Sequence, residues 1–379
     1  MRLILPVLAA SAALGAGAAM SEEPLLDLSA ANVTDVLTDV SGGLRRQTRF
    51  LDKFDVTAAF VGDNHERPGW SAFLDLQATN GGNFSASVSG DAEVISNIEA
   101  PAGTRVLDAW IARDFNGEGG VKTGIVDLNT EFDVQATGAL FLNASHGIGP
   151  DFSQAGQNGP SIFPAPGLGA VGWLITDDHW QIKAGIFEGI SGDPAHPGRT
   201  ALNLSSEEGA LLVFEARNHI SPDFVVGGGV WHFTAPFDTL DAAKQSRANT
   251  GAYAIADGVL YAAPEGDRAG LSGWLRAGFA NGDINPVDAT IGGGLVYTGP
   301  FGRKADQAGI AFSYIHFGTQ ARRAALVIGD HEANLEATYS FGIGDHLIVQ
   351  PDIQYVLSPG ADTSVDNALV MGSRIVATW

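Results

Sequence analysis

The feature that most limits what this chain can fold into is a period of two. In "LEATYSF", Leu335, Ala337, Tyr339 and Phe341 fall on one side of an extended segment, and Glu336, Thr338 and Ser340 fall on the other. Successive side chains of a strand point to opposite faces, so the segment reads as a strand with one apolar and one polar face. After Gly342-Ile343-Gly344-Asp345, a tight turn that Gly and Asp permit, Leu347, Val349, Ile353 and Tyr355 oppose Gln350, Asp352 and Gln354. Upstream, Trp70, Ala72, Leu74 and Leu76 oppose Ser71, Asp75 and Gln77, while Leu271, Leu275, Ala277 and Phe279 oppose Ser272, Trp274 and Arg276. Residues 54–61, 180–187, 210–217, 224–232 and 310–317 alternate in the same way, with breakers such as "HISPD" and "TGPFGRKADQAG" between them.

A soluble sandwich also alternates, with its polar face in bulk water, whereas a membrane barrel turns that face to a wet lumen. Three features select the barrel. "MRLILPVLAASAALGAGAAM" has a basic start at Arg2, an apolar run from Leu3 to Leu14 and the small-residue site Ala16-Gly17-Ala18, so residues 1–19 are expected to be a signal peptide. Dividing roughly 360 mature residues by about 22 per strand and connection gives about 16 strands, an even number in the range of outer-membrane barrels. The chain ends in "NALVMGSRIVATW", with Leu369, Met371, Ile375, Ala377 and Trp379 on one face and Gly372 and Arg374 on the other. This is similar to the aromatic-ended strand read by the outer-membrane assembly machinery, with Trp where Phe is usual. The expected architecture is all-β: residues 20–379 as one transmembrane antiparallel β-barrel with inward-folded loops.

Lys and Arg total 21 against 43 Asp and Glu, a net charge of −22, which excludes a nucleic-acid binder relying on clustered cations. Cysteine is absent and the nine histidines are scattered. "GDHEA" around His331 has no spaced partner of the kind zinc sites use, so neither a metal nor a cofactor is expected.

Six stretches carry a family resemblance: "SGGLRR" from Ser41, "ISNIEAP" from Ile95, "LDAWIARDF" from Leu107, "GIVDLNTEFD" from Gly124, "LFLNASHGIGP" from Leu140 and "VQPDIQYVLSPG" from Val349. In order and spacing they resemble the carbohydrate-selective porin family, OprB type. The resemblance implies a 16-stranded barrel in the outer membrane of a Gram-negative bacterium. Through it small neutral sugars and polyols would diffuse passively into the periplasm, with no reaction catalysed. It also implies a channel narrowed by inward loops and lined with arginines and carboxylates. Such a lining suits a sugar, because Arg presents a fork of donors, carboxylates accept and an aromatic plate meets the C–H face.

The candidate lining residues are Arg45, Arg46, Arg105, Asp108, Trp110, Asp127, Glu131, Asp133, Trp274, Arg276 and Arg374. Arg45 and Arg46 are basic residues of a matched stretch, with charges at the barrel rim as the alternative. Trp274 and Arg276 share the polar face of a clean strand. Arg374 shares such a face too, where a salt bridge across the wall is the alternative. Strict alternation puts Arg105 in phase with Leu107, Ala109 and Ile111, on the lipid side unless it lies in a loop. Trp110, Trp173, Trp180 and Trp231 read as girdle aromatics more than as sugar platforms. In "GIVDLNTEFDVQATGALFLNASHG" the strand is expected to end near Ile125, with Glu131 the leading acceptor ahead of Asp127 and Asp133, and with Phe132, Leu140 and Phe141 facing lipid or the wall. A general diffusion pore is the main alternative. A barrel enzyme using Asn143, Ser145 and His146, or a sugar-binding surface protein, are lesser ones.

Overall fold

The computed structural model describes residues 26–61, 69–176, 179–202, 208–241, 245–246, 248–263 and 269–379, so the expected leader over residues 1–19 lies outside them. Sixteen strands close into one antiparallel barrel. They are β1 (Leu26–Ser41), β2 (Thr48–Val61), β3 (Trp70–Thr79), β4 (Gly103–Asp114), β5 (Gly119–Val126), β6 (Gly167–Ile175), β7 (Trp180–Glu188), β8 (Ala210–Ser221) and β9 (Phe224–Phe233). After β10 (Phe237–Asp238) and β11 (Gln245–Ser246), which form a short ladder separate from the barrel sheet, the barrel resumes with β12 (Asn249–Ala262), β13 (Gly270–Ala280), β14 (Val287–Thr298) and β15 (Gln307–Phe317). It ends with β16 (His331–Ile343), β17 (Leu347–Leu357) and β18 (Ala368–Thr378). Residue Ala31 stands opposite Thr378, closing β1 on β18, and closure removes the free edges an open sheet would expose.

The alternation sorts as the sequence predicts. Leu275, Phe279, Leu335 and Tyr355 are exposed on the outer wall, while Arg276, Glu336, Asp352 and Gln354 are buried inside it. Connections are tight at the end that holds Leu26 and Trp379, as at residues 222–223 and 344–346, and long at the other, as at 80–102, 127–166 and 189–209.

Residues 80–102 and 127–166 fold back into the lumen, and the apolar core sits between them and the inner wall. Phe84, Val88, Ile95 and Leu142 pack on Leu37, Leu51 and Val356. Phe152 stacks on Trp231 with centroids 5.1 Å apart and planes 3° from parallel. Glycine makes room for the rings: a Cβ at Gly251 would lie 2.3 Å from the Trp231 ring, and one at Gly120 would lie 2.1 Å from Trp173. This corrects the girdle expectation. Trp110 and Trp231 are buried inside the barrel and the Trp173 ring lies over inner-wall Gly120, while Trp180 stays exposed on the outer face.

Candidate functional site

The alternation also fails at one place in β4, for a local reason. Asp75 stands opposite Asp108 and Leu76 opposite Val106, so Leu107 is an extra, bulged residue. The extra residue resets the phase, and Arg105, Asp108 and Trp110 all turn inward. Arg105 therefore lies in a strand and off the lipid face. Its Nη2 donates to the Pro101 carbonyl at 2.9 Å and its Nη1 to Gln77 Oε1 at 3.3 Å. Gln77 in turn donates to Asp55 Oδ1 at 2.8 Å, and Asp55 pairs with Lys53 at 2.8 Å, giving a polar rail along the inner faces of β2, β3 and β4.

Where β5 ends, Asp127 turns the chain into the lumen. Its N–H donates to Asp108 Oδ1 at 3.0 Å, and its carboxylate accepts the N–H groups of Asn129 at 2.8 Å and Phe163 at 3.1 Å. Burial, with Asp108 adding, pushes the Asp127 carboxyl up to about 7. Six residues on, Asp133 takes a left-handed conformation, φ 55°, and its N–H donates to Glu215 Oε2 at 2.9 Å. Its carboxylate receives Arg276 through Nε at 3.1 Å and Nη2 at 2.8 Å, while Arg276 Nη1 pairs with Asp151. All three side chains are fully buried. Arg276 is spent on clamping the segment to β13, with its Nε, Nη1 and Nη2 all engaged by the two carboxylates.

Glu131 stands between two lysines. Lys122 of β5 pairs with its Oε1 and Lys183 of β7 with its Oε2 at 2.7 Å. Burial acts against the charge, yet the two ammonium groups outweigh it and hold the carboxyl down to about 2. Lys122 also lies 4.0 Å from the centroid of the Trp110 ring. The side chains of Lys122, Lys183 and Glu131, with those of Lys53 and Asp55, retain 10–16% exposure, against none for the Arg276 clamp. Lys53, Lys122, Lys183 and Arg217 escaped the sequence reading. Each lies on the inward phase of its strand, which is the signal in the sequence that could have found them. Arg217 pairs with Glu215 at 2.6 Å and donates to the Val134 carbonyl at 2.9 Å.

The other candidates scatter. Arg45 and Arg46 are exposed in the β1–β2 turn at the long-loop end, where the Arg45 N–H donates to the Val88 carbonyl at 3.0 Å. Arg374 makes the wall salt bridge, with Asp35 at 2.7 and 2.8 Å, and also reaches Asn97 Oδ1 at 2.8 Å. Trp274 packs against Phe141 and His146. Phe132 is buried against Phe187 inside the wall. Ser145 donates its hydroxyl to the Glu93 carbonyl at 3.1 Å, and burial lowers the His146 imidazole to about 3. The hydroxyl thus donates to a backbone carbonyl, not to the ring that a Ser–His pair would use.

Residues 80–102 are held from the opposite wall. Glu332 of β16 accepts the N–H groups of Ala92 and Glu93 at 2.9 Å, and Glu93 itself receives the Ser313 hydroxyl of β15. Burial, with Asp91 adding and Ser313 and Ser145 opposing, pushes the Glu93 carboxyl up to about 8 from 4.5. The seated loop therefore keeps a proton that the hydrated, released loop gives up, so seating is strongest below pH 4.5 and weakens progressively as the pH rises to about 8. Open-state noise in planar bilayers should be greater at pH 9 than at pH 4, and Glu93→Gln should flatten that dependence. Identical noise at both pH values in the unsubstituted channel would remove Glu93 as its cause.

Known proteins give the arrangement its family. Residues 63–379 match the model of the "Carbohydrate-selective porin, OprB family". Porin B of Pseudomonas aeruginosa is 32% identical over 109 residues, a match covering 24% of this chain and 24% of that protein. The high-pH structure of Pseudomonas putida OprB superposes with a TM-score of 0.81 at 21% identity, covering 93% of this chain and 94% of that one. A mutant porin of Rh. blastica superposes at 0.54 with 12% identity, covering 93% and 100%. At these identities the two structures speak for the fold, and the family match spans most of the sequence. The chain belongs to the carbohydrate-selective porin family, OprB type.

Proposed function

We propose that the protein is an outer-membrane channel through which small neutral sugars and polyols diffuse down their gradient into the periplasm. The observation that carries this reading is the partly exposed arc of paired hydrogen-bonding groups that Lys53 and Asp55 of β2, Lys122 of β5 and Lys183 of β7 form with Glu131 of the infolded 127–166 segment, backed by Trp110. Paired charges offer donors and acceptors side by side, which suits hydroxyls, and ammonium groups already engaged by carboxylates have less to offer a small anion than free ones would. Weak, multiple contacts let a sugar in and out without trapping it. The lining positions, the leader over residues 1–19, placement of the long loops outside the cell and recognition of the Trp379 strand by the assembly machinery belong to the same proposal.

Liposome swelling with glucose, mannitol and gluconate tests it. The two neutral solutes should enter faster than the anion. Equal rates for all three would reduce the protein to a general small-solute pore, and a reconstituted protein without discrete conductance steps would end the channel reading.

A further inference from the structure

Where β2, β3 and β4 reach the tight-turn end of the barrel, an open apolar groove of about 500 Å³ is lined by Phe60, Trp70, Ser71, Ala72 and Ile111. That volume falls within the range of about 300–1,000 Å³ usual for small-ligand sites. The register builds the groove. Phe60 stands opposite Ala72 and Ala72 opposite Ile111, so a single methyl group forms the floor between two large side chains. In the next row the order reverses, with Leu74 between Ala58 and Ala109, which leaves a low strip on either side of Leu74.

The groove ends at a cation. Trp70 stands opposite Arg113, whose guanidinium carbon lies 5.4 Å from the centroid of the Trp70 ring. Both share the outward phase: Trp70, Leu74 and Ile111 are exposed, whereas Asp75, Gln77, Asp108, Trp110 and Ala112 are buried inside. Trp70 opens β3 and Arg113 is the last residue but one of β4, so the pair sits where the wall passes from hydrocarbon to headgroups. Stacking uses the flat face of a guanidinium, while its N–H groups lie along the edge in a fork that matches phosphate. Trp70 adds an indole N–H at the same level. A girdle aromatic alone asks for no particular lipid, but an apolar groove closed at headgroup level by a guanidinium does.

We propose that this groove binds one phospholipid of the periplasmic leaflet, with its phosphate on Arg113 and Trp70 and its acyl chains laid over Ala72 and along the two sides of Leu74. The lining is apolar up to the Trp70 ring and cationic only beyond it, which is the order of acyl chain and phosphate in a lipid standing in that leaflet. A protein partner would have to reach Ala72 through hydrocarbon, where its own backbone groups would go unpaired. The inference rests on the placement proposed above, in which the tight turns face the periplasm, and it is independent of which solute the channel carries.

Native mass spectrometry of the purified protein tests it, with dioleoyl phosphatidylethanolamine and dioleoylglycerol as probes that differ only in the phosphate headgroup. The unsubstituted protein should retain one phospholipid per barrel about ten-fold more strongly than the diacylglycerol. Arg113→Gln should erase most of that preference, and Ala72→Leu, which fills the floor, should weaken retention of both lipids. Both variants should conduct as the unsubstituted channel does, because neither side chain faces the lumen, and that readout shows the barrel to be intact. The chain contains no cysteine, so Glu118→Cys in the exposed turn between β4 and β5 reports the placement by itself. An impermeant maleimide should label it only after the outer membrane has been opened. Equal retention of the two lipids, or retention unchanged in both variants, would overturn the site and leave the placement standing. Labelling in intact cells would overturn the placement, and the leaflet assigned to the lipid with it.

Discussion

Arg276→Met is expected to give a channel of several-fold higher conductance in which sugar no longer blocks the ion current. The guanidinium holds Asp133 and Asp151 inside the barrel with no exposure to water. Removing one partner of such a buried set leaves its carboxylates uncompensated, a cost of about 3–5 kcal/mol. The segment can escape that cost by swinging both acids into the water-filled lumen, whereas the β13 wall loses one inward side chain and keeps its ladder. Single-channel recording reads the result, with circular dichroism confirming the sheet. The triple variant Arg276→Met, Asp133→Asn, Asp151→Asn removes the charges together and should return the conductance most of the way. A single variant with unchanged conductance would mean that other contacts, such as those from Glu336 to the Leu142 and Asn143 N–H groups at 2.6 and 3.0 Å, suffice to seat the segment.

Glu131→Gln should turn the channel toward anions. In the native arrangement one carboxylate neutralises part of the charge of Lys122 and Lys183, and all three side chains keep some exposure, as the proposed lining requires. With an amide in its place, two ammonium groups face the path with no counter-charge, and the loss of two charge-assisted bonds weakens the seat by about 1–3 kcal/mol. The reversal potential across a KCl gradient should move in the anion direction, and gluconate should gain on glucose in swelling assays. Because the lysines hold Glu131 down to about 2, the difference in selectivity between the unsubstituted channel and the variant should persist from neutral pH to about 4. Unaltered selectivity in the variant would show that the trio lies off the route of the solute.

The barrel itself was legible because a wall between lipid and water imposes the period of two on every strand. Leu335 to Phe341 alternates in the sequence and alternates in burial as far as Thr338, and Trp274 and Arg276 face inward as their phase demands. The site was less legible, for two physical reasons. A bulge such as Leu107 adds one residue and reverses the phase beyond it, so strict alternation set Arg105 on the lipid side unless a loop freed it. The second reason is that the partner of a lumen group comes from a distant segment with no sequence periodicity. Nothing near Arg276 announces that Asp133 and Asp151 will occupy it, and nothing near Glu131 names Lys183. Trp231 and Trp173 were misplaced for a related reason: the glycines that make room for their rings, Gly251 and Gly120, lie on neighbouring strands.

The seam between the first and last strands gives the molecule a sense of order in time. Arg374 meets Asp35 across 339 residues of sequence, and the same guanidinium and carboxylate receive Asn97 and Ser96 from the infolded 80–102 segment. That seat does not exist until β18 has been laid against β1. The dock is thus composite: the seam holds the segment at Ser96 and Asn97, while Glu332 of β16 holds it at Ala92 and Glu93, so a variant that opens the seam would lose only the first of the two seats.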